Sequence, residues 1–240
     1  MRKYYYILFI LPLALAVNSC YLSSVNCLDG SGEITKESRN VGDFDKISLD
    51  GGIDLYLKQG DSISVAVEID DNLIKYLRTT VEDRELTITE TKSLCSKIKK
   101  AYIVVPNLKQ ITINGAGSII AKYPINFNYL AIEGNGASDI YFQELNCPNL
   151  SIDLSGSGDV KVDNGIGGNL AIRTSGAGDI RMFNFKTDSA KVEISGAGDV
   201  SLWSETFLLI KVFGAGDVSY KGNPKVVKKI IGAGSVTKHN

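Results

Sequence analysis

The sequence is poor in histidine: its 240 residues include one, His239, which stands next to the C-terminus. The body of the chain therefore has no histidine to serve as the base of a Ser-His or Cys-His pair. It also has no HExxH or GxSxG pattern, and the glycine-rich run at 165–168 fits a chain corner better than a phosphate-binding loop. We therefore predict that the protein is not an enzyme and uses no cofactor.

Basic residues are not gathered in one place. The chain has 26 basic and 27 acidic residues and no basic tract with interleaved aromatic residues. Nucleic-acid-binding proteins usually carry such a tract, which contacts the phosphates. Nucleic acid is therefore not an expected partner.

Cysteine is also scarce, with four residues in the chain: Cys20, Cys27, Cys95 and Cys147. Their spacing is not that of metal ligands. If Cys20 carries a lipid, three cysteines remain, and outside the cytoplasm an odd number leaves at least one free thiol or an intermolecular bond. A Cys95–Cys147 bridge and buried, unpaired thiols both remain open at this point.

The first 19 residues have the form of a targeting segment. Two basic residues at positions 2 and 3 precede an apolar run over residues 4–17, and the run V-N-S-C follows at 17–20. This order resembles a bacterial lipoprotein signal with its lipobox. The resemblance implies cleavage of residues 1–19, a lipid on Cys20 that anchors the protein to a membrane, and a polar tether over residues 20–40. The alternatives are an ordinary signal peptide and an uncleaved N-terminal helix.

The second half of the chain repeats one short unit. The sequence Gly-Ala-Gly-Asp, or a close variant, occurs seven times at steps of 18 to 21 residues. The first glycines of the copies are Gly115, Gly136, Gly156, Gly176, Gly196, Gly214 and Gly232. A period this constant is typical of a repeat architecture in which each copy is one structural unit.

Each copy alternates apolar and polar residues on both sides of its glycine run, as residues 191–202 show. A period of two predicts a strand, a tight corner and a second strand. The pattern fits stacked coils of a β-solenoid or an antiparallel meander whose hairpin turns are the glycine runs. Because stacked coils need nearly equal lengths to stay in register, we predict an all-β protein with a single-stranded parallel β-helix of 18–21 residues per coil over residues 107–240. Right-handed winding is the expected hand.

Residues 41–106 lack the glycine repeat but alternate as strands. The run D-D-N at 70–72 predicts the cap of one short helix that ends at Arg78. We interpret this block as irregular first coils and a cap that covers the open strand edges of the solenoid. At the other end, lysines enter the apolar pattern, and they are interpreted as a C-terminal cap.

An aspartate follows the glycine run in five copies: Asp139, Asp159, Asp179, Asp199 and Asp217. A carboxylate this short accepts backbone N–H bonds within its own turn, so a corner-forming role is expected. In stacked coils the five would form a column, and repulsion would raise their pKa values unless each is solvated, hydrogen-bonded or bridged by a cation. They are therefore weak candidates for a calcium site, although the spacing of calcium-binding repeats is absent.

The residue before the first corner glycine is polar in five copies and becomes Phe213 and Ile231 in the last two. Phe183 and Trp203 occupy matching positions after the corner. We predict that these four residues form an apolar patch that contacts a ligand or a second subunit. The alternative is that the C-terminal tail covers them.

Several of these motifs together resemble one known family. They are G-G-I-D-L-Y-L at 51–57 with Q-G-D at 59–61, D-N-L-I at 71–74, I-N-G at 113–115 and the Gly-Ala-Gly-Asp series. They resemble the putative auto-transporter adhesin head domain called the GIN domain, which is common in lipoproteins of Bacteroidetes. The resemblance covers residues 41–240; it implies a β-solenoid head in the cell envelope and brings no catalytic residues.

We therefore predict a lipid-anchored, outer-membrane lipoprotein of a bacterial envelope, facing the periplasm or the cell surface, whose solenoid binds a glycan or a partner protein. The apolar patch also allows a homo-oligomer. One alternative is a carbohydrate-active β-helix enzyme that uses the aspartate column with Arg173 and Arg181. Identical residues in every coil argue against it, because a catalytic pair needs unlike environments. The other alternative is a purely structural envelope protein.

Overall fold

The structure is a computed structural model that describes residues 26–239. Within that range the chain forms twenty strands. In chain order they are β1 Leu28–Asp29, β2 Ile34–Arg39, β3 Lys46–Gly51, β4 Asp54–Gln59, β5 Ser64–Asp70, β6 Leu77–Glu82, β7 Glu85–Glu90, β8 Leu94–Cys95, β9 Lys100–Val105, β10 Gln110–Gly115, β11 Ile119–Ala121, β12 Ile125–Asn126, β13 Tyr129–Gly136, β14 Ile140–Gly156, β15 Val160–Gly176, β16 Ile180–Ile194, β17 Val200–Gly214, β18 Val218–Lys221, β19 Lys225–Gly232 and β20 Val236–Lys238. The predicted signal peptide and Cys20 lie outside the described residues.

The strands from β13 onward stack as parallel coils. β14 pairs with β15 from Ile140↔Val160 to Gly156↔Gly176, and each partner is the residue 20 positions later. Equivalent residues therefore lie above one another at the spacing of hydrogen-bonded strands, about 4.8 Å. The parallel pairing confirms the β-solenoid and rules out the antiparallel meander.

The inward-facing residues of each coil are apolar and stack into buried columns, because successive residues of a strand point to opposite faces. One such column consists of Ile152, Ile172, Val192 and Ile210. Burying an aliphatic side chain of this size contributes about 1.5–3 kcal/mol. The core is therefore a continuous apolar rod inside the stack.

The glycine corners stack backbone directly on backbone. Gly156 has φ +140°, and a Cβ added to it would lie under 3.0 Å from the carbonyl oxygen of Gly136 in the coil before. The N–H of Ala177 donates to the Gly156 carbonyl over 3.0 Å, which links one corner to the next. Glycine is needed here because any side chain would push adjacent corners apart.

The first coil of the solenoid comes before the glycine repeats. β3 pairs in parallel with β10, with Gly51 opposite Gly115, and β4 pairs in parallel with β11. On their other side, β3 and β4 pair in parallel with β7 and β9. The chain thus forms the coil of β3 and β4 first and then places β7 and β9 on its outer, N-terminal side. It returns to the opposite side of that coil at β10 and β11, where the stack continues. Antiparallel pairings of β2 with β5, β5 with β9 and β6 with β7 close this end.

The predicted helix that ends at Arg78 is wrong. Among the described residues of that segment, helical geometry is limited to a three-residue 3-10 turn, Ile74–Tyr76, whose N-cap is Leu73 without a side-chain cap bond. The Asp70 carboxylate instead accepts the backbone N–H of Gly32 over 2.7 Å. Leu77 is buried in the core and already extended, so it begins β6.

A disulfide joins Cys27 to Cys95, with a Cα–Cα distance of 5.4 Å. It ties β1 to β8 at the N-terminal end of the solenoid. The Cys95–Cys147 alternative is therefore wrong. Cys147 is a buried free thiol, and burial raises its pKa to about 11. Its side chain is part of the hydrophobic core and comes from β14.

The last coil consists of β19 and β20. Val226, Ile230 and Val236 pack on the core, whereas Lys228 stands opposite Ile210 at an inward position and is exposed. Lysines on β19 discourage pairing of this last coil with a further strand. Residues 26–239 include no helix that is long and apolar enough to cross a membrane.

Candidate functional site

The aspartate column is a ladder of hydrogen bonds between coils. Oδ1 of Asp159 accepts the backbone N–H of Asp179 over 2.9 Å, and Oδ1 of Asp179 accepts that of Asp199 over 3.0 Å. The same bond is made by Asp139, Asp199 and Asp217 to the next coil. The predicted bond within the same turn is therefore wrong, because the corner places each carboxylate against the equivalent residue one coil above.

At one member of the column, Asp159, hydrogen bonds and a neighbouring cation lower the pKa of the carboxyl group. The N–H of Asp179 and the guanidinium of Arg181 hold the pKa of Asp159 below its ordinary value. Arg181 lies between two column members, 2.8 Å from Oδ2 of Asp159 and 2.8 Å from Oδ2 of Asp179. Hydrogen bonds and one bridging cation from the chain itself therefore offset the repulsion locally.

Cation ligands do not converge on the column. Within residues 26–239 the one group of three acidic or thiol side chains close enough to share an ion is Cys27, Asp29 and Cys95. The two sulfurs of that group are bonded to each other. The five aspartates of the column form no such group in the same range.

The two arginines of the enzyme alternative lie on different walls of the solenoid. Arg173 precedes its corner and contacts Glu193 at 3.1 Å, whereas Arg181 follows the corner. Lys211, Arg173 and Lys191 donate to Glu193 and lower its pKa to about 2. A carboxyl group with so low a pKa is ionised at neutral pH and cannot act there as a proton donor.

The four residues of the predicted apolar patch also lie on two walls. Phe213 stands opposite Ile231 on the wall before the corner, where their exposed fractions are 44% and 53%, so the described tail does not cover them. Phe183 and Trp203 lie after the corner and are half-buried. A register shift places Trp203 opposite Lys186.

Lys221 and His239 partly cover Phe183 and Trp203. The Lys221 ammonium lies 5.1 Å from the Phe183 ring centroid and 5.7 Å from that of Trp203. The His239 ring lies 5.2 Å from Phe183. Phe213 and Ile231 are therefore the exposed part of the predicted patch.

A groove that the sequence did not reveal crosses the wall before the corner. It has a volume of about 390 Å³ and runs from Tyr129 to Phe207. The register places Asn149, Asn169 and Ser189 between these rings, one per coil. Four strand spacings put the two ends about 19 Å apart.

The groove is a depression because its middle positions carry small side chains. Ser151 and Ala171 face outward, and Ala190 occupies a core position between the larger Leu170 and Leu208. Tyr129 and Phe207 remain 49% and 38% exposed. The result is a mainly apolar floor between two aromatic side chains.

A polar ladder runs along the groove. The amide Nδ2 of Asn169 donates to Oδ1 of Asn149 over 3.1 Å, and the Ser189 hydroxyl donates to Oδ1 of Asn169 over 3.0 Å. An amide side chain has two N–H donors and two acceptor lone pairs. Asn169 therefore keeps a donor and a lone pair for a ligand. Only the strand register shows this ladder, since its members are 20 residues apart in sequence.

The fold is a β-solenoid whose walls carry the groove and the aspartate column described above. Residues 43–224 match the family described as "Putative auto-transporter adhesin, head GIN domain". The chain belongs to this family, which confirms the resemblance found in the sequence. Membership implies a protein of the cell envelope or cell surface.

Solved structures share the fold. A "putative adhesin" from Bacteroides fragilis NCTC 9343 is 24% identical with a TM-score of 0.84, and the match covers 88% of this chain and 100% of that one. A "putative lipid binding protein" from Parabacteroides distasonis ATCC 8503 is 25% identical with a TM-score of 0.72, over 90% and 100% of the two chains. A "putative adhesin" from Parabacteroides merdae ATCC 43184 is 22% identical with a TM-score of 0.72, over 89% and 99%. Among curated proteins, none is significantly similar to the chain.

Proposed function

We propose that the protein is a lipid-anchored, non-enzymatic binding head of the adhesin type, and that the groove between Tyr129 and Phe207 takes a neutral glycan. The observation that carries the proposal is the pairing of an apolar floor with the polar ladder at Asn149, Asn169 and Ser189. Sugar rings present an apolar C–H face and a rim of hydroxyls, so such a groove matches both. Lys191 is the one charged residue that lines it.

The arrangement of the aspartates supports a role without catalysis. Each accepts the same bond from the next coil, so each carboxylate already has a structural partner. Arg181 is engaged by two of these aspartates. We therefore assign the aspartate column the role of holding successive coils together.

The N-terminal sequence and the disulfide support anchoring through Cys20. The disulfide at Cys27 holds the chain to the first coils, and the seven steps from Cys20 to Cys27 span at most about 25 Å. A lipid on Cys20 would keep that end close to the membrane and leave the groove farther along the stack. Disulfides form in oxidising compartments, in keeping with export to the envelope.

Metabolic labelling with a palmitate analogue tests the anchor. The wild-type protein is expected to take up label and to stay with the membrane fraction. Cys20→Ser is expected to lose both. Soluble, unlabelled wild-type protein would contradict the anchor without affecting the groove.

A glycan array tests the groove. The full-length protein in mild detergent is expected to retain neutral oligosaccharides, and Tyr129→Ala is expected to lose them. Tyr141→Ala, on the other wall, is the matched control and should bind as the wild type does. Equal retention by wild type and Tyr129→Ala would contradict the proposed site.

The apolar floor also favours a second candidate, an acyl chain. The similar structure from Parabacteroides distasonis ATCC 8503 is described as a "putative lipid binding protein". In this chain Leu150, Leu170 and Leu209 line the groove. A fluorescent fatty acid that binds wild type but not Tyr129→Ala, with no glycan retained on the array, would favour the acyl chain over the glycan.

A further inference from the structure

A second groove lies on the wall after the corner, at the N-terminal end of the stack. It has a volume of about 320 Å³, and three tyrosines, Tyr56, Tyr102 and Tyr123, line it together with Lys58 and Lys122. Its residues come from β4, β9 and the end of β11, which are separated in sequence but adjacent in the stack. It shares no residue with the groove between Tyr129 and Phe207.

One side of the groove is a pair of stacked aromatic rings. The rings of Tyr56 and Tyr102 lie on neighbouring strands with centroids 5.1 Å apart and planes at 25°. The Lys36 ammonium lies 3.5 Å from the Tyr102 centroid, a cation–π contact. Burial, with a smaller effect from Glu68, raises the pKa of Tyr102 to about 12, so its hydroxyl keeps its proton at neutral pH.

The opposite side is the exposed ring of Tyr123. Tyr123 is 58% exposed and lies outside the strands. The Lys58 ammonium is 5.0 Å from its centroid. A large aromatic side chain left in solvent beside a groove is typical of a ligand contact.

The groove is positively charged. Lys58 and Lys122 line it and are exposed, and none of its lining residues is acidic. The nearby carboxylate of Glu68 is 3.7 Å from Lys100, which offsets its charge. Lysine ammonium groups attract anions without demanding one fixed geometry.

The strands beneath the groove cannot accept an extended peptide by strand addition. β4 is paired on one side with β9 and on the other with β11, so it presents no free backbone edge. A ligand there must bind through side chains. Flat aromatic rings with flanking cations suit a sugar ring that carries a carboxylate.

We propose that the groove formed by Tyr56, Tyr102, Tyr123, Lys58 and Lys122 binds an acidic oligosaccharide, with a sugar ring between Tyr123 and the tyrosine stack and its carboxylates against the lysines. The site is separate from the neutral-glycan groove and does not depend on it.

Isothermal titration of the full-length protein in mild detergent tests the proposal, with an oligogalacturonate as the probe. The methyl ester of the same oligomer removes the charge and keeps the rings, and a glutamate oligomer of equal length keeps the charge and removes the rings. The oligogalacturonate is expected to bind, and both comparison ligands are expected to bind about tenfold more weakly. Affinity should also fall as salt is raised, because exposed charges are screened.

The variants locate the site. Tyr123→Ala and the double change Lys58→Gln with Lys122→Gln are each expected to weaken oligogalacturonate binding by about tenfold. Tyr123→Phe keeps the ring and is expected to retain affinity, and Tyr129→Ala should bind as the wild type does. Because Tyr123 is 58% exposed and lies outside the strands, the melting temperature of Tyr123→Ala is expected to equal that of the wild type.

The proposal would be overturned by no oligogalacturonate binding at about 1 mM, by equal binding of the glutamate oligomer, or by unchanged affinity in Tyr123→Ala. Loss of affinity in Tyr129→Ala instead would assign the acidic ligand to the other groove and would equally reject this site.

Discussion

Oδ1 of Asp159 accepts the backbone N–H of Asp179 over 2.9 Å, one coil above it. At this corner the side chain supplies the acceptor that a strand carbonyl supplies elsewhere in the ladder. The carbonyl of Asp179 in turn accepts the N–H of Val160 over 2.8 Å. Each repeated aspartate therefore accepts a hydrogen bond that joins its coil to the next one. This role explains why an aspartate recurs once per coil.

Asp159→Ala should destabilise the fold. It removes a charge-assisted acceptor from the Asp179 N–H and one contact of Arg181, and it should lower the free energy of unfolding by about 1 kcal/mol. Asp153→Ala is the control, because it removes only an exposed contact with Arg173 at 3.6 Å and should cost less than about 0.5 kcal/mol. Denaturant unfolding of both variants checks the difference. Equal losses would contradict the bond between coils.

Glu193 should make stability depend on acid pH. Its folded pKa of about 2 lies below its ordinary value of 4.5. The stabilisation is therefore present above about pH 4.5 and is lost as the pH falls toward about 2. Glu193→Gln should melt at a lower temperature than wild type at pH 7, and the two should converge near pH 2. A constant difference across that range would contradict the pairing with Lys211 and Arg173.

Gly156→Ala should prevent stable stacking. The new Cβ would lie under 3.0 Å from the Gly136 carbonyl, at a backbone φ of +140°. Loss of more than about 4 kcal/mol, or failure to fold, is expected. Gly42→Ala is the matched control, since a Cβ there meets nothing within 4 Å. Circular dichroism and thermal melting compare the two, and a well-folded Gly156→Ala protein would be inconsistent with this corner.

The sequence was sufficient to predict the stack because its signals are local and repeated. Alternating residues and glycines at steps of 18 to 21 residues predict strands, corners and register together. The same logic failed at residues 70–78, where the run D-D-N suggested a cap. There Asp70 bonds to Gly32, 38 residues away, and no local pattern records that contact.

The two grooves also depend on contacts between residues that are far apart in the sequence. Tyr129, Asn149, Asn169 and Phe207 line one groove only through the register of five stacked strands. The tyrosine groove also needs the out-of-order layer that places β9 beneath β4. Phe213 and Ile231 were found from the sequence because they break a repeated column of polar residues.

Phe213 gives a test of self-association. We predict that the exposed pair Phe213 and Ile231 joins two copies of the chain. Phe213→Ser should lower the mass measured by light scattering and change the free energy of unfolding of the monomer by less than about 0.5 kcal/mol. Ser195→Ala, in the same column, is the control. Unchanged mass with an unchanged melting curve would contradict the contact.

The most direct test of the binding-head account is the dissociation constant of a neutral glycan selected on the array, measured for wild type and for the double variant Tyr129→Ala, Phe207→Ala. We predict that removing both rings weakens binding by roughly tenfold or more while the melting temperature changes little. A double variant that binds the glycan as tightly as wild type would contradict the account.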